Sequence, residues 1–260
     1  MKNLIRCPIC GKELHNKDSM YKCINNHTYD KSKSGYINLS NHSLKVQGDN
    51  DELVISRNNF LLSNNYLRLS STINKIINKH KCNNILDLAC GTGYYTNLYN
   101  CSDVYGIDLS KKAINIASKN SNNMFIIGSI FELPFFDNSF DIISLIFAPR
   151  PIEEVYRTLK LDGIFIEVSP NTNHLIELKK VLYDNIILNK EVTLIDKRFK
   201  LIESIDLNYN MILNNSLLKD LFNMTPYRYR TNKDKISQLD DIKVLDVQAC
   251  FVIKVYKKVI

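Results

Sequence analysis

Short apolar runs separated by helical stretches characterise the chain from residue 84 onward. Five runs have the length of a buried strand, at residues 84–88, 103–107, 123–127, 141–147 and 163–168. Because helical stretches lie between these runs, the pattern predicts a parallel sheet. Apolar and polar residues alternate at 201–213 and 242–255, which predicts a final antiparallel pair of strands and thus an α/β domain with a seven-stranded sheet.

Ahead of this sheet, the pattern predicts a polar linker at 41–50 and two helices. Asp49, with Glu52 three positions later, resembles a capping box that opens a helix ending near residue 62. A second helix is predicted from Tyr66 to Lys79. The chain therefore divides into an N-terminal segment at 1–40, a linker with bridging helices at 41–82, and an α/β domain at 83–260.

A glycine-rich loop follows the first strand of this domain. Gly91 and Gly93 come directly after the apolar run at 85–88, and glycine permits a tight turn that brings a ligand close to bare backbone. Tyr94, Tyr95 and Thr96 are predicted to form the first turn of a helix, whose free amides suit a carboxylate or a ribose.

Two acidic residues end the first two strands. Asp108 closes the second strand, where a carboxylate can bind the two hydroxyls of a ribose. Asp87, ahead of the glycines, resembles the acid that holds the methionine amino group in methyltransferases. A dinucleotide site places a third glycine where this chain has Thr96, so the loop favours S-adenosylmethionine over NAD.

The stretch Leu133–Asp141 leads into the fourth strand and is similar to the segment beside the adenine in class I methyltransferases. Ala148-Pro149-Arg150-Pro151 follows that strand. Enzymes that methylate exocyclic amines of adenine or cytosine typically carry [Asn/Asp/Ser]-Pro-Pro-[Tyr/Phe/Trp] at this position. The sequence therefore disfavours that reaction.

The first forty residues carry a pattern of metal ligands. Cys7 and Cys10 form one closely spaced pair, and Cys23 and His27 form a second, at a separation that suits a zinc knuckle. His15 is an alternative fourth ligand, but it does not complete a close pair. A closed sphere of three cysteines and one histidine predicts a structural zinc ion, because no position stays open for catalysis.

The other four cysteines and the lengths of the apolar runs indicate the cellular compartment of the protein. Cys82, Cys90, Cys101 and Cys250 lie in or beside apolar runs and are expected to be buried thiols, not disulfides. The chain has no run of eighteen apolar residues and no secretory signal pattern. These features predict a cytoplasmic protein with no membrane partner.

Basic charge is concentrated at both ends of the chain. Residues 1–40 carry 7 basic and 3 acidic side chains, residues 221–260 carry 8 and 4, and the 180 residues between carry 19 and 20. Met224-Thr-Pro-Tyr-Arg-Tyr-Arg230 also interleaves aromatic rings with arginines, which suits stacking on unpaired bases or packing of a helix end on the core. A basic knuckle beside a methyltransferase core favours a nucleic-acid substrate.

The combination of motifs resembles the RlmA family nearly from end to end. In order, the motifs are Cys-Pro-x-Cys, Cys-x3-His, Gly35-Tyr36-Ile37-Asn38-Leu39, a helix with Arg57 and Phe60-Leu61, Asp-x-x-Cys-Gly-x-Gly-Tyr-Tyr-Thr, His174-Leu-x-Glu-Leu-Lys and Met224-Thr-Pro-Tyr. The family comprises large-subunit rRNA guanine-N1 methyltransferases, including the tylosin-resistance members. The resemblance implies a class I methyltransferase fold with an N-terminal zinc ribbon, 23S rRNA as substrate and a homodimer.

The resemblance also implies site residues. Cys7, Cys10, Cys23 and His27 match the zinc ligands, and Tyr66, Tyr95, Thr96 and His174 match contacts to S-adenosylmethionine; Asp87, Gly91, Gly93 and Asp108 are added on fold logic. Family members often have Gly, Glu and Cys where this chain has Ala89, Thr92 and Arg150. Arg150 lies near the expected target-base pocket and is a candidate donor to the developing charge on guanine O6; its alternative is a salt bridge to Glu153 or Glu154.

Two other functions remain open from the residues. The runner-up is a small-molecule methyltransferase acting on a quinone-like acceptor, which the α/β domain alone does not exclude. A third alternative is a zinc-knuckle RNA-binding protein whose methyltransferase fold has lost catalysis.

Overall fold

The computed structural model describes residues 3–40, 50–190 and 193–260. Eleven strands are present in this part of the chain: β1 His15–Lys17, β2 Met20–Lys22, β3 Thr28–Asp30, β4 Ile37–Asn38, β5 Asn84–Leu88, β6 Asp103–Asp108, β7 Met124–Ile127, β8 Phe140–Ile146, β9 Leu159–Pro170, β10 Phe199–Asn214 and β11 Val244–Lys258. The same ranges hold seven α-helices: α1 Asp51–Leu62, α2 Leu67–Lys79, α3 Lys111–Ala117, α4 Ile152–Thr158, α5 Ile176–Leu182, α6 Asn215–Asn223 and α7 Lys233–Asp241.

The main sheet has the strand order β10-β11-β9-β8-β5-β6-β7-β4. Strands β5 to β9 are parallel, while β11 runs antiparallel between β9 and β10. All seven predicted strands are therefore confirmed. The predicted count of seven is one too low, because β4 of the N-terminal segment adds an eighth strand parallel to β7.

Two helical predictions are confirmed and a third is wrong. Helices α1 and α2 lie where the sequence placed them. Asp49 and most of the predicted linker lie outside the described residues, and the N-cap of α1 is Asn50, whose side chain accepts from the Leu53 amide. After the glycine loop the chain forms only a three-residue 3₁₀ turn, Thr96–Leu98, and not the predicted α-helix.

The N-terminal segment packs on the edge of the sheet. It forms a small antiparallel sheet, β1-β2-β3, before the chain enters the main sheet at β4. Its apolar residues Leu14, Tyr21 and Ile37 are buried in one cluster with Ile126 of β7 and with Phe135. The predicted boundary at residue 40 therefore separates segments that share an apolar core.

One prediction about the cysteines is wrong. Cys82 and Cys101 form a disulfide, with their Cα atoms 5.5 Å apart. The cause is the parallel register of β5 and β6, which pairs Asn84 with Asp103 and so places the residues two positions earlier side by side. Cys90 and Cys250 are buried thiols, as predicted.

No helix in the ranges 3–40, 50–190 and 193–260 is both long and apolar enough to cross a membrane.

Candidate functional sites: a metal cluster and a cofactor cavity

The four predicted metal ligands lie together at the tip of the N-terminal segment. The ligand atoms of Cys7, Cys10, Cys23 and His27 all lie within 4.8 Å of one another. His27 Nδ1 is 3.4 Å from Cys7 Sγ and 3.5 Å from Cys23 Sγ, and the Cys10 and Cys23 sulfurs are 3.7 Å apart. His15 lies away from this group, with 56% of its side chain exposed and Nδ1 3.9 Å from Glu13.

These distances fit a tetrahedral zinc ion. With metal–sulfur bonds of about 2.3 Å and a metal–nitrogen bond of about 2.0 Å, the edges of a tetrahedral site are roughly 3.5 to 3.8 Å long. Burial raises the pKa of Cys7, but the Tyr29 hydroxyl and the backbone amides of Ile9 and Cys10 outweigh it, so that the pKa falls to about 6. A thiolate is therefore available at neutral pH, and the thiolate is the form that binds metal.

A cavity of about 650 Å³ lies at the carboxyl ends of the parallel strands. Ligands of open α/β sheets bind at this edge, where connections leave in opposite directions. Six of the eight predicted cofactor residues line the cavity: Tyr66, Asp87, Gly91, Tyr95, Asp108 and His174. Its volume lies within the range of small-molecule and cofactor sites.

Asp87 is a buried carboxylate at the floor of this cavity. Thr96 Oγ1 donates to one of its oxygens at 2.6 Å, and Ser144 Oγ donates to the other at 2.9 Å. Burial raises the pKa of Asp87 to about 6, although these hydrogen bonds favour the ionised form. A ligand cation would stabilise the charged carboxylate, because opposite charge lowers the pKa of a buried acid.

Asp108 lies beside the glycine loop and fixes its position. One carboxylate oxygen accepts from the Gly91 amide at 2.9 Å, and the other accepts from the Ser110 amide at 2.8 Å. Asp108 also lines the cavity, and each carboxylate oxygen has two acceptor positions. This arrangement suits the paired hydroxyls of a ribose.

Gly93 and Thr96 are the two predicted cofactor residues that do not line the cavity. Gly93 has φ +76°, and a Cβ atom there would lie 2.7 Å from Ala117 Cβ, so glycine is required for the loop to pack on α3. Thr96 is fully buried and supports Asp87. Both positions shape the cavity without facing it.

Three buried hydroxyl groups around the cavity lack a partner in the described part of the chain. They are Thr92 Oγ1, Tyr94 OH and Tyr95 OH. Buried polar groups are normally hydrogen-bonded, and all three residues line the cavity. A polar ligand such as the methionine end of S-adenosylmethionine would satisfy them, so the residues present fit this cofactor.

His174 closes the opposite wall as a neutral ring. Its Nδ1 accepts from the Cys250 amide at 3.2 Å, which leaves the hydrogen on Nε2. Burial, together with the charge of Lys179, lowers the pKa of His174 to about 3. The ring lies nearly parallel to Phe147 and contacts Phe251, with centroid distances of 6.4 and 4.8 Å. His174 is therefore a donor to the cavity at any physiological pH.

Arg150 pairs with neither of the glutamates named from the sequence. Its Nε and Nη2 donate to the two oxygens of Glu167 on β9, at 2.8 and 2.6 Å. Glu153 pairs with Arg198, and Glu154 pairs with Arg157. The alternative of a salt bridge to Glu153 or Glu154 is therefore wrong.

Sequence reasoning assigned no role to several residues of the cavity wall. Three of them are Glu167 on β9, Phe147 directly after β8, and Arg57 on α1. The sequence of β9 contains one signal that could have identified Glu167. This glutamate interrupts an apolar run from Ile164 to Val168. Buried charges in such runs are paired or functional.

The fold and the cavity together define a methyltransferase of class I that uses S-adenosylmethionine, and a family model described as a methyltransferase domain matches residues 79–208. A second model, the N-terminal domain of RlmA, matches residues 5–43, and with the observed cluster it makes zinc the structural metal. The Bacillus subtilis protein YxjB, named a "putative 23S rRNA (guanine-N(1)-)-methyltransferase", is 30% identical over 266 residues covering 94% of both chains. The chain belongs to the RlmA family.

Two further relatives differ in how much of the chain they match. The 23S rRNA (guanine(748)-N(1))-methyltransferase of Streptomyces fradiae is 29% identical over 188 residues, covering 68% of this chain and 67% of its own. A demethylmenaquinone methyltransferase of Thermotoga maritima is 37% identical over 100 residues, covering 33% of this chain and 44% of its own. The resemblance to the quinone enzyme thus spans a third of the chain.

Proposed function

We propose that this protein transfers a methyl group from S-adenosylmethionine to N1 of a guanine in a hairpin of 23S rRNA. The observation that carries the proposal is the presence of a zinc ribbon and a cofactor cavity in one chain, matched over 94% of its length by a relative named for this reaction. The reaction takes place in the cytoplasm, where ribosomal RNA is assembled into ribosomes.

Each site has a separate task in this proposal. Cys7, Cys10, Cys23 and His27 hold zinc, and the ribbon that they stabilise, residues 1–40, binds the RNA. Tyr66, Asp87, Gly91, Tyr95, Asp108 and His174 bind S-adenosylmethionine, while Gly93 and Thr96 shape its cavity. When bound, the cofactor supplies an electrophilic methyl group. The target base is unstacked from the hairpin to reach the cavity.

The test is a methyl-transfer assay with purified protein, labelled S-adenosylmethionine and unmodified large-subunit rRNA, followed by nuclease digestion and nucleoside analysis. We expect label in 1-methylguanosine. Label in another nucleoside would overturn the assigned chemistry. No label in RNA, with cofactor binding demonstrated by calorimetry, would overturn the assigned substrate.

Charge reversal tests the task of the ribbon separately. Lys12, Lys17 and Lys33 are exposed on it, and changing all three to Glu should weaken rRNA binding and reduce its dependence on salt. Cofactor affinity should stay unchanged. The matched control carries three Lys→Glu substitutions in the neutral middle segment, at the exposed residues Lys75, Lys81 and Lys119. Equal losses in both variants would mean that the ribbon has no special part in binding.

We also propose that the protein is a homodimer, on the family resemblance alone. Light scattering coupled to size-exclusion chromatography measures the mass directly. A mass near that of one 30.1 kDa chain at micromolar concentration would contradict the proposal.

A further inference from the structure

Glu167 lines the cavity and pairs with Arg150, and it is not among the residues assigned to the cofactor. We infer that Glu167 recognises the N1 and N2 edge of the target guanine and accepts the N1 proton, while Phe147 provides the surface on which the base stacks. The inference rests on the proposed function and deepens it, because it assigns the proton acceptor and the base-recognition residue.

The placement of Glu167 gives it access to a ligand in the cavity. It lies on β9, lines the cavity and keeps 12% of its side chain exposed. Arg150 holds both carboxylate oxygens through two parallel hydrogen bonds, which fixes the plane of the group. A carboxylate has about four acceptor positions, so each oxygen can accept one more hydrogen bond.

Two basic residues neighbour Glu167. Arg150 lies on one side, and Lys254 is its cross-strand partner on β11, with Nζ donating to Thr193 at 2.7 Å. A carboxylate that pairs with a guanidinium acts as a hydrogen-bond acceptor, so Glu167 requires donors from a ligand that docks against it. Arg150 thereby acts as a positioning residue for Glu167 and not as the donor to O6 suggested by the sequence.

An aromatic residue, Phe147, lies beside this carboxylate. Phe147 follows β8 directly, and its amide donates to the Val168 carbonyl at 3.1 Å, so it lies next to Glu167 along the cavity wall. The residue is 43% exposed and lines the cavity. Its backbone has φ +56°, a left-handed conformation that is strained for an aromatic residue and that persists mainly where function requires it.

Guanine carries two donors for such an acceptor. Its N1 hydrogen and N2 amino group are adjacent donors on one edge. Because Arg150 occupies the side between the two carboxylate oxygens, a single oxygen of Glu167 accepts from both donors on its outer side. For methylation, the N1–H bond breaks and the proton passes to Glu167, so that N1 keeps the electron pair that forms the new bond to the methyl carbon. The electron pair of the carbon–sulfur bond stays with the sulfur as it leaves, and Glu167 then loses its proton to water.

The test compares guanosine with inosine, which lacks the N2 amino group, at the methylated position of an rRNA hairpin. Wild-type protein should prefer guanosine by about 10- to 100-fold in kcat/KM, the effect of losing one hydrogen bond to a charged acceptor. Glu167→Gln should lower kcat by about 100- to 10,000-fold and reduce the preference to a few fold, while Glu167→Asp should restore part of both.

The matched control is Glu154→Gln. Glu154 makes the same two-bond pair with Arg157, through Nε at 2.8 Å and Nη2 at 2.7 Å, but it does not line the cavity. Its substitution should leave the guanosine preference unchanged. Affinity for S-adenosylhomocysteine should match wild type for Glu167→Gln, which separates a chemical role from a folding defect.

The outcomes separate the inference from the proposed function. Wild-type protein that forms no 1-methylguanosine would remove both. An active wild type with Glu167→Gln at wild-type rate, or with its full guanosine preference, would overturn the inference alone. If Glu167→Gln fails to fold, the wild type decides: equal kcat/KM for the two hairpins, and equal binding with S-adenosylhomocysteine present, would also overturn it.

Discussion

The metal cluster and the cofactor cavity are built from very different lengths of chain. All four metal ligands lie between residues 7 and 27, whereas residues from 57 to 227 line the cavity. One ion can organise the first site, because it links four side chains that are already close along the sequence. The second site requires the whole sheet to be folded. The two sites should therefore respond differently to the same kind of perturbation.

The largest expected effect is loss of the metal. His27→Ala should abolish zinc binding, which contributes on the order of 10 kcal/mol to folding of such a ribbon, and rRNA methylation should fall by more than about 100-fold. Cofactor affinity, measured by calorimetry, should change by less than about threefold, because the cavity takes no residue from the ribbon.

His15→Ala is the control for this variant. Its ring is exposed and lies outside the cluster, so zinc content by atomic absorption should stay at one ion per chain. Loss of zinc from His15→Ala, or full retention in His27→Ala, would contradict the assignment of ligands.

The next effect concerns the floor of the cavity. Asp87→Asn should weaken cofactor binding by roughly 1,000-fold, or about 4 kcal/mol, because a buried ammonium group would lose its counter-charge. Asp103→Asn, at the opposite end of the parallel strands, should leave the affinity unchanged. Similar affinities for Asp87→Asn and wild type would exclude Asp87 from the cofactor site.

Asp87 also predicts a pH dependence. Its pKa of about 6 in the folded protein is above the ordinary value of 3.8, so the unfolding free energy of the cofactor-free protein should fall as pH rises from 3.8 to 6, and level off above. Cofactor affinity should change in the opposite sense and rise through pH 6, because ionised Asp87 attracts the ammonium group. Asp87→Asn should flatten both profiles, which titration calorimetry and denaturant melts at several pH values will measure.

A smaller effect is expected for the disulfide of the α/β domain. Oxidised Cys82–Cys101 closes a 19-residue separation, and its reduction should lower the unfolding free energy by about 3 kcal/mol. Cofactor affinity and zinc content should be unaffected, since the bond lies at the amino ends of β5 and β6. Denaturant unfolding with and without reductant measures the effect, and the Cys82→Ser Cys101→Ser variant should be insensitive to reductant.

The smallest effect is a gain in stability. Ala89 has φ +54°, a conformation that costs an alanine about 1 kcal/mol relative to glycine. Ala89→Gly should therefore raise the unfolding free energy by up to about 1 kcal/mol in denaturant melts. Ala113→Gly, inside helix α3, should lower it by a similar amount.

Features that depend on neighbouring residues were predictable from the sequence. The metal ligands, the strand positions and the bounds of α1 and α2 follow from spacing and periodicity within a few residues. Features that depend on register between distant segments were not. The Cys82–Cys101 bond requires knowledge of which parallel strands pair, and the partner of Arg150 lies 17 residues further on, in another strand.

The glycine loop shows a second reason why local structure could not be predicted from the sequence. Its composition correctly indicated a ligand-binding turn, but the structure forms a short 3₁₀ turn where a helix was expected. The close contact between Gly93 and Ala117 holds the loop against α3, and Thr96 must turn inward to reach Asp87. Tertiary packing therefore decides the local conformation here, and no residue pattern within the loop reports it.

The two-residue strand β4 protects the edge of the main sheet in the newly synthesised chain. Without it, β7 would end the sheet with a row of unpaired backbone amides and carbonyls, the kind of edge on which chains associate into aggregates. Ile37 and Asn38 cover that edge, and Ile37 also bridges Lys31 of the ribbon, so loss of the ribbon fold should uncover the edge. Metal supply during synthesis would then govern solubility as well as activity, and a zinc-starved cell would accumulate this protein in insoluble form.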